Sequence, residues 1–183
     1  MFSRIFTVPN ELTLLRLGFL PFFLIAVIYG HFGWALGLLS AGAITDGMDG
    51  LLARRLNQKS ALGAYLDPIA DKLLLSSSFV ALALKGKIHW WLTVLVLSRD
   101  VLLLTIAVVI LLAVGYRPFP PSRYGKLTTL FQILFVFAVL GMAVTPWHWV
   151  PLVRRLLAAL VAIFTVFSGF HYCVTVARRL TAD

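Results

Sequence analysis

Long apolar runs separated by short polar breaks dominate the chain, and six of them approach the roughly 20 residues a helix needs to cross a bilayer. They cover approximately 12–29, 34–54, 61–83, 90–114, 127–145 and 151–175. The breaks are turn-like: Tyr29-Gly30-His31-Phe32-Gly33, Leu56-Asn57-Gln58-Lys59-Ser60 and Lys85-Gly86-Lys87. A longer one, 115–126, carries Pro118, Pro120 and Pro121, and the next holds Pro146-Trp147-His148-Trp149, an aromatic pattern that suits a membrane interface. The pattern predicts an all-α polytopic membrane protein of six transmembrane helices. A short N-terminal segment, Phe2–Phe6, is expected to lie along the interface before Pro9 opens the first helix. With no internal repeat, residues 1–183 read as a single domain, and the first apolar run as a retained span rather than a cleaved signal.

Composition points the same way. Of 183 residues 61% are hydrophobic and 13% charged, against about 25% charged in soluble domains. The mean hydropathy is +0.96. The net charge of +9 would suggest nucleic acid in a soluble protein. Here the basic residues sit mostly at the ends of apolar runs, so membrane lipids with anionic headgroups are the expected partner and nucleic acid is not. With the N-terminus cytoplasmic, inside segments hold Arg4, Arg54, Arg55, Lys59, Arg117, Arg123, Lys126, Arg178 and Arg179. Outside segments hold Lys85, Lys87, Arg154 and Arg155. This favours both termini inside. Cys173 is the single cysteine, so no intramolecular disulfide forms. Gly33 and Gly37 form a GxxxG pair that predicts close helix packing.

The acidic residues change the picture from architecture to chemistry. Only seven occur; Asp46, Asp49, Asp67 and Asp71 fall inside apolar runs and Asp100 makes a fifth. A charge at mid-membrane costs at least about 2.5–3.5 kcal/mol, so something must offset these. At about 100° per residue, Asp46, Asp49, Gly50 and Ala53 share one face of the second helix, and Gly63, Asp67 and Asp71 one face of the third. The short link 56–60 predicts a hairpin that brings the four carboxylates to similar depth, near the cytoplasmic end. Facing carboxylates cannot all stay ionised without cations. With no Cys or His among them, the donor set suits Mg²⁺ or Mn²⁺, and it suffices for two ions, an arrangement fit for phosphoryl chemistry. Gly50 and Gly63 leave room beside the ions, and Arg54, one turn after Gly50, can reach a phosphate there.

The run Asp46-Gly47-Met48-Asp49-Gly50-Leu51-Leu52-Ala53-Arg54, then Gly63-Ala64-Tyr65-Leu66-Asp67-Pro68-Ile69-Ala70-Asp71, resembles the CDP-alcohol phosphatidyltransferase pattern DxxDGxxAR…GxxxDxxxD at all eight fixed positions. Pro9-Asn10, Thr13, Arg16 and Pro68–Lys72 resemble the family's glycerol-phosphate and phosphatidylglycerol-using branches. The resemblance implies a six-helix enzyme, commonly a homodimer, with a binuclear site open to the cytoplasm; a bacterial inner membrane is the expected location. It implies that Asp46, Asp49, Asp67 and Asp71 hold the metals and that Gly50, Ala53, Arg54 and Gly63 border the CDP moiety of CDP-diacylglycerol. Asp71 would also be the base for the attacking hydroxyl, with CMP released.

Basic residues outside this motif should address the acceptor. Arg99, inside the fourth run beside Asp100, and Arg123 and Lys126 at its cytoplasmic mouth could bind an anionic alcohol such as glycerol 3-phosphate. The bland alternative is an Arg99–Asp100 balance plus ordinary positive-inside charge. Pro121–Thr129 resembles the GKxKT element of the glycerol-phosphate branch, with Thr128 where that pattern has lysine. Ser98-Arg99-Asp100 and Gln58–Gly63 resemble the cardiolipin-forming branch, whose acceptor is phosphatidylglycerol. Glycerol 3-phosphate is the expected acceptor and phosphatidylglycerol the alternative. From another class, intramembrane carboxylates also permit a small ion or proton transporter.

Overall fold

The structure is a computed structural model that describes the backbone of residues 8–56, 61–114, 123–145 and 150–180, and the side chains of 15, 17–44, 70–106, 108–109, 124–145 and 151–175. Six helices and no strand occur among the described residues: α1 Val8–Ile28, α2 Phe32–Leu56, α3 Ala61–Leu84, α4 Trp90–Val114, α5 Arg123–Val144 and α6 Val150–Leu180. Each coincides with one of the six apolar runs to within a few residues at its ends. The largest departures are outward: α1 begins before Leu12, α5 takes in Arg123–Lys126, and α6 continues through Arg178 and Arg179. Arg and Lys are good helix formers, and intrahelical hydrogen bonding does not require an apolar side chain, so hydropathy marks the buried part of a helix rather than its ends. The Trp147–Trp149 anchor lies outside the described residues, as do the 57–60 link and Phe2–Phe6.

Two turns show how helices stop. After α1, the amide of His31 donates to Ala26 O at 2.8 Å and that of Gly30 to Val27 O at 3.1 Å. After α3, Lys87 N donates to Leu82 O and Gly86 N to Ala83 O, both at 2.9 Å. Both are Schellman closures, and their glycines have φ of 79° and 65°, a region where a side chain is strained. In the second turn the Lys87 ammonium sits 5.0 Å from the centre of the Phe32 ring, tying it to the first.

The chain divides into two compact units, one of residues 1–87 with 139–146, the other of 88–138 with 147–183. In the first, α1 packs against both α2 and α3, burying Phe23 and Val27 of α1, Ala35 and Leu39 of α2, and Phe79 and Leu82 of α3. In the second, α4 packs against α6, with Leu92, Val96, Val136 and Val161 buried. Large apolar side chains nevertheless stand exposed, among them Phe22 and Ile25 of α1, Val101 and Leu104 of α4, and Ile163 and Phe170 of α6. Such surfaces suit lipid rather than water. Two described helices, Tyr124–Val144 and Pro151–Thr175, are long and apolar enough to cross a membrane. Tyr29 and Trp34 are exposed beside the α1–α2 turn, and Trp90 and Trp91 are exposed at the start of α4; amphipathic rings at helix ends suit a headgroup layer.

One packing expectation fails. Gly33 and Gly37 are exposed, and a Cβ added at either meets nothing within 4 Å. Helix periodicity identifies a small-residue stripe but not the direction it faces. Within this chain the stripe packs against nothing described.

Candidate active site

Asp46, Asp49, Gly50, Ala53 and Arg54 all lie on α2, and Gly63, Asp67 and Asp71 on α3. Both helices run unbroken through these positions, so the one-face spacing stands on observed helices. Pro68 falls within α3 without ending it, about two turns from its start, where the ring removes one i→i−4 hydrogen bond. α1 packs against both motif helices. Asp71 is half-buried. The side chains of Asp46, Asp49, Gly50, Ala53, Arg54, Gly63 and Asp67 lie outside the described residues, and so does the 57–60 link. The donor set itself consists of carboxylates on single faces of two helices, a chemistry that fits hard divalent cations.

The acceptor candidates lie in the other unit. Arg99 is buried on α4, and its guanidinium is engaged from two sides. Nη1 donates to Asp100 Oδ1 at 2.8 Å and Nη2 to Ser168 Oγ of α6, also at 2.8 Å. The Arg99 and Asp100 side chains are 8% and 13% exposed, so the pair is shielded from solvent. Charge compensation inside the second unit is therefore what the geometry shows for Arg99. The sequence suggested Asp100 as its partner but did not pair it with Ser168, 69 residues away. Lys126 is exposed in the first turns of α5, and Arg123 opens that helix, its side chain outside the described residues.

Between them stands Tyr124, its ring edge-on to Phe167 at 4.9 Å and tilted against His171 at 4.9 Å. The neighbouring Thr128 explains a departure from the glycerol-phosphate pattern. It is fully buried, and its hydroxyl hydrogen-bonds with Tyr124 O at 2.8 Å and Phe164 O at 3.1 Å. A lysine at 128 would bring an unpaired ammonium into this α5–α6 contact and lose the interhelical bond.

Further polar side chains are buried here that sequence reasoning did not single out. Gln132, Thr165 and Ser168 are at most 2% exposed. Their signal was a polar residue recurring at helical spacing inside apolar runs: Thr128 and Gln132 on α5, Thr165 and Ser168 on α6.

Comparison with known proteins agrees with the motif. The sequence profile described as CDP-alcohol phosphatidyltransferase matches residues 6–170. A "Probable phosphatidylglycerophosphate synthase" of Mycobacterium tuberculosis (strain H37Rv) is 38% identical, covering 97% of this chain and 84% of its own. A "Cardiolipin synthase (CMP-forming)" of Streptomyces coelicolor is 35% identical, covering 99% and 87%. The human "Cardiolipin synthase (CMP-forming)" is 38% identical over 67% of this chain and 40% of its own.

Proposed function

The chain belongs to the CDP-alcohol phosphatidyltransferase family, and from that premise we propose that it transfers the phosphatidyl group of CDP-diacylglycerol to glycerol 3-phosphate, releasing CMP. What carries the reading is the full set of eight motif positions on two observed helices, within a family match that spans them. Ion transport, which intramembrane carboxylates alone would permit, does not account for that match.

In this reading Asp46, Asp49, Asp67 and Asp71 hold two Mg²⁺ or Mn²⁺ ions, which when bound polarise the pyrophosphate and take up charge on the leaving group. The chain's own residues do the rest. Asp71 accepts the proton of the acceptor hydroxyl as its oxygen attacks the lipid-bearing phosphorus. The bond from that phosphorus to the CMP oxygen breaks, CMP leaves with the electron pair, and the proton passes from Asp71 to solvent. Arg54 steadies the pyrophosphate, and Gly50, Ala53 and Gly63 keep the helix faces open beside the cytidine nucleotide. Arg123 and Lys126, at the start of α5, attract the acceptor phosphate.

The six helices span the membrane with both termini cytoplasmic, as the basic-residue asymmetry supports, and the aspartates lie towards that side. The location is a bacterial inner membrane, in keeping with the bacterial sources of relatives matched over most of their length. The working form is a homodimer. A second acceptor, phosphatidylglycerol, is favoured by Ser98-Arg99-Asp100 and by the near-equal likeness to a cardiolipin synthase.

Purified protein given CDP-diacylglycerol with either acceptor, with CMP and lipid followed by mass spectrometry, separates the two. Phosphatidylglycerophosphate from glycerol 3-phosphate supports the first reading. Cardiolipin from phosphatidylglycerol, with no turnover of glycerol 3-phosphate, replaces it. No CMP from either removes both.

A further inference from the structure

Two lysines stand where the positive-inside pattern puts few. Lys85 and Lys87 flank Gly86 in the turn that closes α3, on the side that the basic-residue count assigns to the outside. Residues 29–33 and 84–87 contain no Asp or Glu. Among the described residues neither ammonium has a carboxylate partner. Lys85 is exposed, and Lys87, half-buried, holds its ammonium 5.0 Å from the centre of the Phe32 ring.

That contact makes the two turns of the first unit one surface. Phe32 directly follows His31, which is exposed in the α1–α2 turn. Lys85 lies two residues before Lys87, which puts their Cα atoms at most about 7 Å apart. Two cations and an imidazole therefore leave the backbone at positions joined by the Phe32–Lys87 contact, with Tyr29 and Trp34 exposed on either side of His31 in the chain.

The depth of this patch in the bilayer can be read from its neighbours. On both turns the exposed surface passes from aliphatic to polar within a few residues, from Ile28 to Tyr29 and His31 and from Leu84 to Lys85. Such a change marks the passage from hydrocarbon to headgroups. The patch also lies far from the motif. From Phe32 to Asp46 along α2, and from Asp71 to Leu84 along α3, the helices rise about 20 Å at roughly 1.5 Å per residue. It belongs to the headgroup layer opposite the aspartates.

The chemistry narrows the occupant. A phosphodiester brings one negative charge to the two ammonium groups, and the His31 imidazole, Tyr29 hydroxyl and Trp34 indole N–H are further donors. A choline or ethanolamine headgroup carries its own cation towards the lysines, so a lipid of net negative charge fits better. The exposed aliphatic and aromatic side chains beside the turns offer acyl chains a surface that a free phosphate cannot use.

Resting on the membrane reading of the chain and not on its catalysis, we propose that Lys85 and Lys87, with His31, hold the phosphodiester of an anionic phospholipid in the leaflet opposite the active site. The lipid bridges the α1–α2 turn and the end of α3, and its charge offsets the two lysines that run against the positive-inside pattern.

The test uses the full chain in phosphatidylcholine vesicles with EDTA, titrated with phosphatidylglycerol brominated on its acyl chains, which quenches tryptophan fluorescence on contact. Brominated phosphatidylcholine is the reference, and Trp34→Phe identifies the quenching that arises at the patch. At about 20 Å from the aspartates, Trp34 does not sense a lipid held there. A lysine near an anionic lipid surface contributes about fivefold in binding, so the parent should prefer phosphatidylglycerol at Trp34 by at least about tenfold. In Lys85→Gln/Lys87→Gln the preference should fall to about twofold or less, while Lys85→Arg/Lys87→Arg should keep it. The CDP-diacylglycerol KM should be unchanged in both.

A parent without the preference, a glutamine pair that retains it, or an arginine pair that loses it overturns the proposal. Excess inorganic phosphate, compared with potassium chloride at equal ionic strength, should not relieve the quenching; relief specific to phosphate would make the ligand a free anion and overturn the lipid assignment. If the glutamine pair fails to fold, Lys85→Gln alone decides, its exposed side chain having no contact to lose and an expected effect of about fivefold.

Discussion

Replacing Arg99 by alanine removes a guanidinium that donates to Asp100 and Ser168, each at 2.8 Å. The pair is almost wholly shielded, the arginine side chain at 8% exposure and the aspartate at 13%, so the remaining carboxylate gains little from water. Removing one partner of a buried ion pair costs about 3–5 kcal/mol. At roughly 2–4 °C per kcal/mol for a chain of this size, Arg99→Ala should melt about 6–20 °C below the parent. Asp100 has a further interaction besides Arg99, which places the expected loss towards the lower end. Arg99→Ala/Asp100→Ala should recover part of it, because no lone charge remains, although the Ser168 hydrogen bond, the further Asp100 interaction and the packing of the arginine stem beside Gly169 are lost. Tryptophan fluorescence of detergent-solubilised protein reads the melting, with acceptor KM measured on the same samples. A single variant melting within about 2 °C of the parent, or a double variant no more stable than the single, would refute a structural role for the pair. A higher acceptor KM without a change in melting would return Arg99 to the acceptor alone.

Three other outcomes follow from the proposed chemistry. Thorough chelation should abolish CMP release and added Mg²⁺ or Mn²⁺ restore it; full activity in excess EDTA would dismiss the metal site. Asp71→Asn should lose at least about a hundredfold in turnover while still binding CDP-diacylglycerol, whereas a variant keeping half its rate could not have lost its base. Arg123→Ala should raise the acceptor KM about ten- to a hundredfold, the weight of one charge-assisted phosphate contact, and an unchanged KM in folded protein would take Arg123 out of the acceptor site.

Much of the fold was legible because an apolar run of about 20 residues between Gly and Pro breaks has few ways to satisfy its backbone except as a helix. The motif's faces were legible for the same reason: once α2 and α3 are helices, residue spacing alone says which side chains lie together. Helix ends were less so. Hydropathy stops at the first charge, while α5 and α6 carry Arg123–Lys126 and Arg178–Arg179 in continuous helix.

The amino-acid sequence by itself therefore determined six helices, the single-face spacing of Asp46, Asp49, Asp67 and Asp71, and the family that spacing marks. Tertiary structure alone decided which helix face meets which. It brought Ser168 to Arg99 across 69 residues of chain and buried Thr128 against the carbonyl of Phe164. It also left Gly33 and Gly37 facing outward and enclosed Gln132 Nε2 and Thr165 Oγ1 with no hydrogen-bond partner among the described residues. Periodicity is a property of one helix and can be read along the chain. The choice of partner depends on how several helices pack, and no single run of residues carries it.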